Sequence, residues 1–166
     1  EQIPHFDRIG LDIGYIFKEG ALVTDGSSPP ISVDPVTDYL PTTHPGARFP
    51  HLDLSASKHY RSTHDFLSYH QFTLIVREAG EAWEEGHRYF TSQSSIKVEL
   101  IRLDKLDLPS ILLRELENLC EIQSHGALLI RPDGHVAFRS HAHSPPPQIF
   151  IQVFNHILQH QLIQAQ

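Results

Sequence analysis

The chain has 166 residues, 40% hydrophobic and 20% charged, which suits a single globular domain with room for a core. Lys and Arg number 13 against 20 Asp and Glu, a net charge of −7 with no basic run, which argues against a nucleic-acid surface. No apolar run approaches the roughly 20 residues that span a bilayer.

Near the start, "IGYIFKEGALV" alternates well enough for one or two short strands. Residues 25–50 then hold Pro29, Pro30, Pro35, Pro41, Pro45 and Pro50, with Gly26 and Gly46 among them. Proline fixes φ and donates no backbone hydrogen bond, so this run should wrap over a surface rather than form core strands. Residues 1–64 are therefore expected to be an extended, proline-rich segment, and residues 65–166 the core of one domain.

"QFTLIV", 71–76, is a short apolar run of β-formers and reads as a buried strand. "GEAWEEGHRYFTSQ" follows as a helix, with Glu81, Glu84 and Glu85 early, where the helix dipole favours acids, and Trp83, His87 and Phe90 at helical spacing. "SIKVELIRL", 95–103, alternates Ile96, Val98 and Leu100 against polar residues, as a half-buried strand does. "DLPSILLRELENLC" opens with Asp107 or Ser110 as a cap and Pro109 near the first turn, then runs helically. "GALLIRP" and "HVAFR" flank Asp133-Gly134 and predict a hairpin. After three prolines, Phe150, Phe154, Ile157 and Leu158 recur at helical spacing in a final amphipathic helix. The order from residue 71 is β-α-β-α-β-β-α. The first βαβ unit pairs in parallel and the hairpin adds antiparallel strands. The predicted fold is α/β and thioredoxin-like, a four-stranded mixed sheet flanked by helices.

Cys120 is the only cysteine, so an internal disulfide is ruled out and a reducing, cytoplasmic setting is expected. It follows Leu116 and Leu119 in a periodic apolar stretch and reads as a buried structural thiol. The unusual count is 13 histidines, the side chains best placed for proton transfer near neutral pH. No methionine occurs, so the chain is expected to be trimmed or part of something longer.

"HFDRIGLDIGYIFKEGALV", "PTTHPGARFPHLDL", "STHDFLSYHQFTLIV" and "GALLIRPDGHVAFR", in that order, resemble the C-terminal region of FAD-dependent aromatic hydroxylases of the phenol and polyketide hydroxylase type. In those enzymes a thioredoxin-like domain follows the flavin and substrate domains. The resemblance implies a phenolic or polyketide ligand, a homodimer, and a flavin monooxygenase as partner. It brings no FAD or NAD site to this chain. No G-x-G-x-x-G occurs, and Gly10 and Gly14 are too sparse to cradle a pyrophosphate. The thioredoxin redox position reads "VREAGEAW", without cysteine, which excludes thiol–disulfide exchange.

The resemblance singles out Arg48, His51, Asp65, Asp133 and His135. A substrate-binding role falls to Arg48, His51 and His135, the Arg through a forked hydrogen bond to a carboxylate or phenolate. The plainer alternative is that Arg48 ties its loop to the domain body. Asp65 is read either as a turn cap or as a catalytic acid, and Asp133 as a turn residue. Asp53, His64 and His70 depart from the family pattern. With Asp65 they form a candidate acid–base set near the edge of the first strand, where a carboxylate orients one histidine and a second stands opposite. His141 and His143 form a His-x-His pair, but a third ligand is missing and "SHAHSPPP" reads as an exit loop, so no metal site is expected.

Two functions follow. One is a free-standing small enzyme, derived from such a domain, that runs a cofactor-free acid–base step (cyclisation, isomerisation, dehydration or decarboxylation) on a phenolic or polyketide metabolite. Its support is the histidine content, the unusual Asp53, His64 and His70, and a chain starting just where a flavin part would end. The other is a non-catalytic C-terminal or accessory domain of a flavin monooxygenase, serving dimerisation or covering its substrate site.

Overall fold

In a computed structural model, residues 8–141 and 148–162 are described, with side chains through residue 158. The elements are α1 (Ile9–Ile13), β1 (Phe72–Val76), α2 (Glu81–Gln93), β2 (Val98–Arg102), α3 (Ser110–Cys120), β3 (Ala127–Ile130), β4 (Val136–Ser140) and α4 (Gln148–Leu162), with 3₁₀ turns at Thr63–Phe66 and Leu103–Lys105. The four strands form one sheet in the order β2-β1-β3-β4. β1 runs parallel to β2, and β3 is antiparallel to both β1 and β4. These are the strand directions expected from the sequence.

Strand side chains alternate across the sheet, and each set meets its own layer. Ile75, Ile101, Leu128 and Ile130 pack with Leu116 and Cys120 of α3. Leu74, Val76, Val98 and Leu129 face Trp83 and Phe90 of α2 and Phe150 and Phe154 of α4. The rings of Phe90 and Phe154 stack with centroids 4.2 Å apart, which locks α2 to α4. β1 and β3, the two central strands, are buried almost throughout, as their unbroken apolar runs require. Cys120 is buried as expected, and burial pushes its thiol pKa up to about 12, so it is inert as a nucleophile.

The proline-rich segment departs from expectation in two ways. "IGYIFKEGALV" forms no strand; it begins at the last residue of α1 and then runs without a ladder. In addition, the segment enters the core, since Phe49 and Leu54 are fully buried in the α3 layer. What the segment does instead is cover the outer edge of β4. The Val23 N–H donates to the Ala137 carbonyl at 2.7 Å and the Gly46 N–H to that of Val136 at 2.8 Å. The Val136 N–H in turn donates to the Ala47 carbonyl at 2.8 Å. An edge strand exposes unpaired N–H and C=O groups, and these bonds satisfy them.

Three local boundaries also differ. β2 starts at Val98 rather than Ser95, because the Ser94 hydroxyl accepts the Ile96 N–H at 3.1 Å and turns the chain first. α3 has Pro109 at its N-cap and no side-chain cap, so neither Asp107 nor Ser110 serves there. The hairpin loop is longer than an Asp-Gly pair. Arg131 to Gly134 forms a β-turn with Pro132 second, closed by the Gly134 N–H on the Arg131 carbonyl at 2.9 Å. Gly134, at φ 82°, then supplies the left-handed residue that returns the chain to β4.

One buried cation fastens the segment to the core. Arg139 of β4 is 4% exposed. Its Nε donates to Asp25 at 2.7 Å and Nη2 to the Ser27 hydroxyl at 2.9 Å. Nη1 bonds the Glu121 carboxylate, which also accepts from the Thr43 hydroxyl at 3.1 Å. The same hydroxyl lies 2.9 Å from the Cys120 carbonyl, so its one proton is shared between the two acceptors. Burial alone would raise the Asp25 pKa, but hydrogen bonds from Ser27 and Arg139 overcome it and hold the carboxyl at about 2, below the usual 3.8.

Arg139→Ala strands these carboxylates and is expected to cost roughly 3–5 kcal/mol in chemical denaturation. Because the folded-state pKa of Asp25 is depressed, its contribution is complete above pH 3.8 and is lost as pH falls towards about 2. In acid titrations followed by circular dichroism, Asp25→Asn is expected to flatten the loss of stability over that window.

Candidate functional site

Three segments meet beside the end of the hairpin: the loop at residues 48–51, the 3₁₀ turn Thr63–Phe66, and the turn at residues 131–134. Arg48 and His135 form an isolated antiparallel bridge, and the Phe49 N–H donates to the Gly134 carbonyl at 2.9 Å. Ala47 and Phe49 are buried, so the intervening Arg48 side chain is turned to the surface. The Thr63 hydroxyl donates to the Pro50 carbonyl at 2.8 Å and accepts the Leu52 N–H at 3.0 Å, pinning the 3₁₀ turn to the same loop.

Between these segments lies an open cleft of about 250 Å³, lined by Arg48, His64, Leu67, Tyr69 and the turn residues Pro132, Asp133 and Gly134. His64 Nε2 lies 3.1 Å from the Phe49 carbonyl. A carbonyl only accepts, so Nε2 is the donor. His51 packs edge-on against His64, ring centroids 5.4 Å apart. Arg48 is exposed, and among the described residues its guanidinium makes no hydrogen bond or ion pair. The tie of this loop to the domain body, the plainer reading of Arg48, is made by backbone.

The proposed acid–base set is not assembled. Of its four members only His64 lines the cleft. His70 is exposed and is not among the lining residues. Asp53 accepts the Ser55 N–H at 2.8 Å, and its pKa is lowered chiefly by hydrogen bonds from Ser55. Asp65 accepts the N–H groups of Arg61 at 2.5 Å and Ser62 at 3.0 Å within a capping box, bonds that lower its pKa. Both carboxylates stand where turn geometry needs an acceptor.

Asp133 is likewise a turn residue. It pairs with Arg131 through two bonds, one of them from Nε at 3.0 Å, and accepts the His135 N–H at 3.2 Å. Burial raises its pKa, and these partners bring it below the usual value. His135 supports the cleft from outside: its ring packs edge-on against Phe17 at 5.0 Å and is not among the lining residues. Its Nδ1, 3.4 Å from Asp133, lacks hydrogen-bond geometry and is buried without a partner.

His141 Nδ1 lies 2.8 Å from the Glu121 carbonyl and Nε2 3.2 Å from Asp25, so it extends the Arg139 network. His143, its companion in the His-x-His pair, lies outside the described residues. Among the described residues no three His, Cys, Asp or Glu side chains gather as a metal-holding group. No described helix is long and apolar enough to cross a membrane.

Sequence reasoning missed Leu67 and Tyr69 as cleft residues and the whole Arg139 network. A lone arginine in an apolar strand, "HVAFRS", was the available signal for Arg139, since an arginine buried in a strand requires partners.

The family model for the C-terminal domain of aromatic-ring hydroxylases matches residues 42–159. The chain belongs to that family. Phenol 2-monooxygenase of Pseudomonas sp. (strain EST1001) is 27% identical over 144 residues, covering 86% of this chain and 24% of the relative. The flavin-dependent monooxygenase PieE, solved with FAD and substrate, shares 33% identity with a TM-score of 0.81, over 92% of this chain and 26% of that one. Aklavinone-11 hydroxylase, solved with FAD and aklavinone, shares 27% identity with a TM-score of 0.67, over 87% and 26%. The chain thus spans about a quarter of the length of the curated relatives it matches.

The cap at the cleft's edge is open to measurement. Asp65→Ala is expected to lower the urea midpoint, with amide-exchange protection lost at Arg61 and Ser62.

Proposed function

We propose that this chain acts as the C-terminal domain of a flavin-dependent aromatic hydroxylase with a phenolic or polyketide substrate. It covers the flavin-bearing part, or helps two copies associate, and does not itself carry the chemistry. The observation that carries this reading is the family match over residues 42–159, made to relatives of which this chain spans only about a quarter.

The flavin, in this reading, belongs to the remainder of such an enzyme. The chain has no glycine-rich pyrophosphate loop. The competing reading, a cofactor-free acid–base enzyme, calls for histidines and acids converging on one pocket. His64 and His70 do not converge, and the carboxylates of Asp53 and Asp65 are engaged by backbone N–H groups.

The purified 166-residue chain is expected to show no flavin absorbance and to leave phenolic and polyketide substrates unchanged, followed by chromatography without added flavin or nicotinamide. Joined to the flavin-binding part of a phenol monooxygenase, it is expected to support hydroxylation that the same protein lacking residues 42–159 performs poorly. Product formed by the chain alone would overturn the reading.

A further inference from the structure

We propose that the cleft is a binding site for an aromatic acid carrying a hydroxyl beside its carboxylate. The site is tested on the chain by itself, so its failure and that of the reading above are separate events.

Two residues with polar side chains of different kind, Arg48 and His64, line the space. The Arg48 main chain is held by the bridge to His135 and by the neighbouring Phe49–Gly134 bond, so its side chain is spared from holding the loop. A planar guanidinium with parallel N–H donors fits a carboxylate in a forked pair. His64 supplies the opposite need. Its Nε2 proton is directed to the Phe49 carbonyl, so in the neutral ring Nδ1 holds a lone pair, and among the described residues Nδ1 has no partner. That nitrogen accepts from a hydroxyl. A ligand with a carboxylate next to a hydroxyl answers both.

The rest of the cleft suits a flat ring. Leu67 and Pro132 give apolar contact, and Tyr69, 89% exposed, offers an aromatic face at the mouth. Gly134 has no side chain, and a Cβ there would reach to 3.6 Å from the Leu67 Cδ1, narrowing the space where a ring edge enters. The one acid in the lining, Asp133, is already paired with Arg131 and the His135 N–H, so it neither neutralises Arg48 nor stands as a bare charge against a carboxylate. About 250 Å³ accommodates one or two fused rings and little more.

The probe is 2-hydroxybenzoate, titrated into the ¹⁵N-labelled 166-residue chain and followed by amide shifts. Saturable binding is expected at about millimolar or tighter, with shifts centred on Leu67, Tyr69 and Gly134. Arg48→Ala is expected to weaken it by about tenfold or more, and Arg48→Lys, which keeps charge but loses the fork, by less. The neutral 2-hydroxybenzyl alcohol is expected to bind as weakly as 2-hydroxybenzoate binds Arg48→Ala. Benzoate is expected to bind more weakly than 2-hydroxybenzoate, a difference that disappears in His64→Ala. Lack of saturation, unchanged affinity in both Arg48 variants, or equal displacement by inorganic phosphate would each overturn the assignment.

Discussion

A single buried guanidinium decides how this domain is put together. Arg139 has one ionic partner, Asp25, 114 positions earlier in the chain, and another, Glu121, at the end of α3. A charge this deep is tolerable only when it is paired and hydrogen-bonded. Satisfying it brings the proline-rich segment, α3 and β4 to one point. Glu121 reaches its place through a left-handed backbone at φ 53°, a conformation a non-glycine residue adopts at some cost. Once the segment is held there, residues 46–48 lie along β4, and the loop bearing Arg48 is set against the hairpin turn. The cleft is a downstream consequence of that ionic fastening.

The same logic explains why the acids and histidines near the cleft look catalytic in sequence and structural in place. A long segment without regular ladders must satisfy its backbone N–H groups by other means. Asp53, Asp65 and Asp133 accept from main-chain N–H groups two to four residues away, and Thr63 joins two loops through its hydroxyl. Short polar side chains are the usual instruments for this task. Arg48 and His64 retain polar atoms beyond what the folding of the loop consumes.

The core was legible because its signals are local. Helical spacing of Trp83 and Phe90, the apolar run of β1 and the Asp-Gly turn each specify an element within a dozen residues, and the sheet order follows from connecting them. The proline-rich segment was legible only in composition. Proline correctly removed it from the ladders, but composition says nothing of where Phe49 and Leu54 will be buried. The acid–base set was read from residue types near the first strand, and residue type does not reveal that the Asp65 carboxylate is engaged in the capping box or that His70 lies outside the cleft lining. The partners of Arg139 were illegible because ion pairs between residues 18 and 114 positions apart leave no periodic trace.

Gly46 shows how far from a ligand a cleft can be specified. Its φ is 93°, and a Cβ at that position would fall 2.0 Å from the carbonyl oxygen of Phe17. Any other residue would pry two strips of main chain apart, two positions before Arg48. Sequence drift at this cleft is thereby policed by an atom that is missing: the lining can change its chemistry one side chain at a time, while its outline stays hostage to a hydrogen on a remote α-carbon.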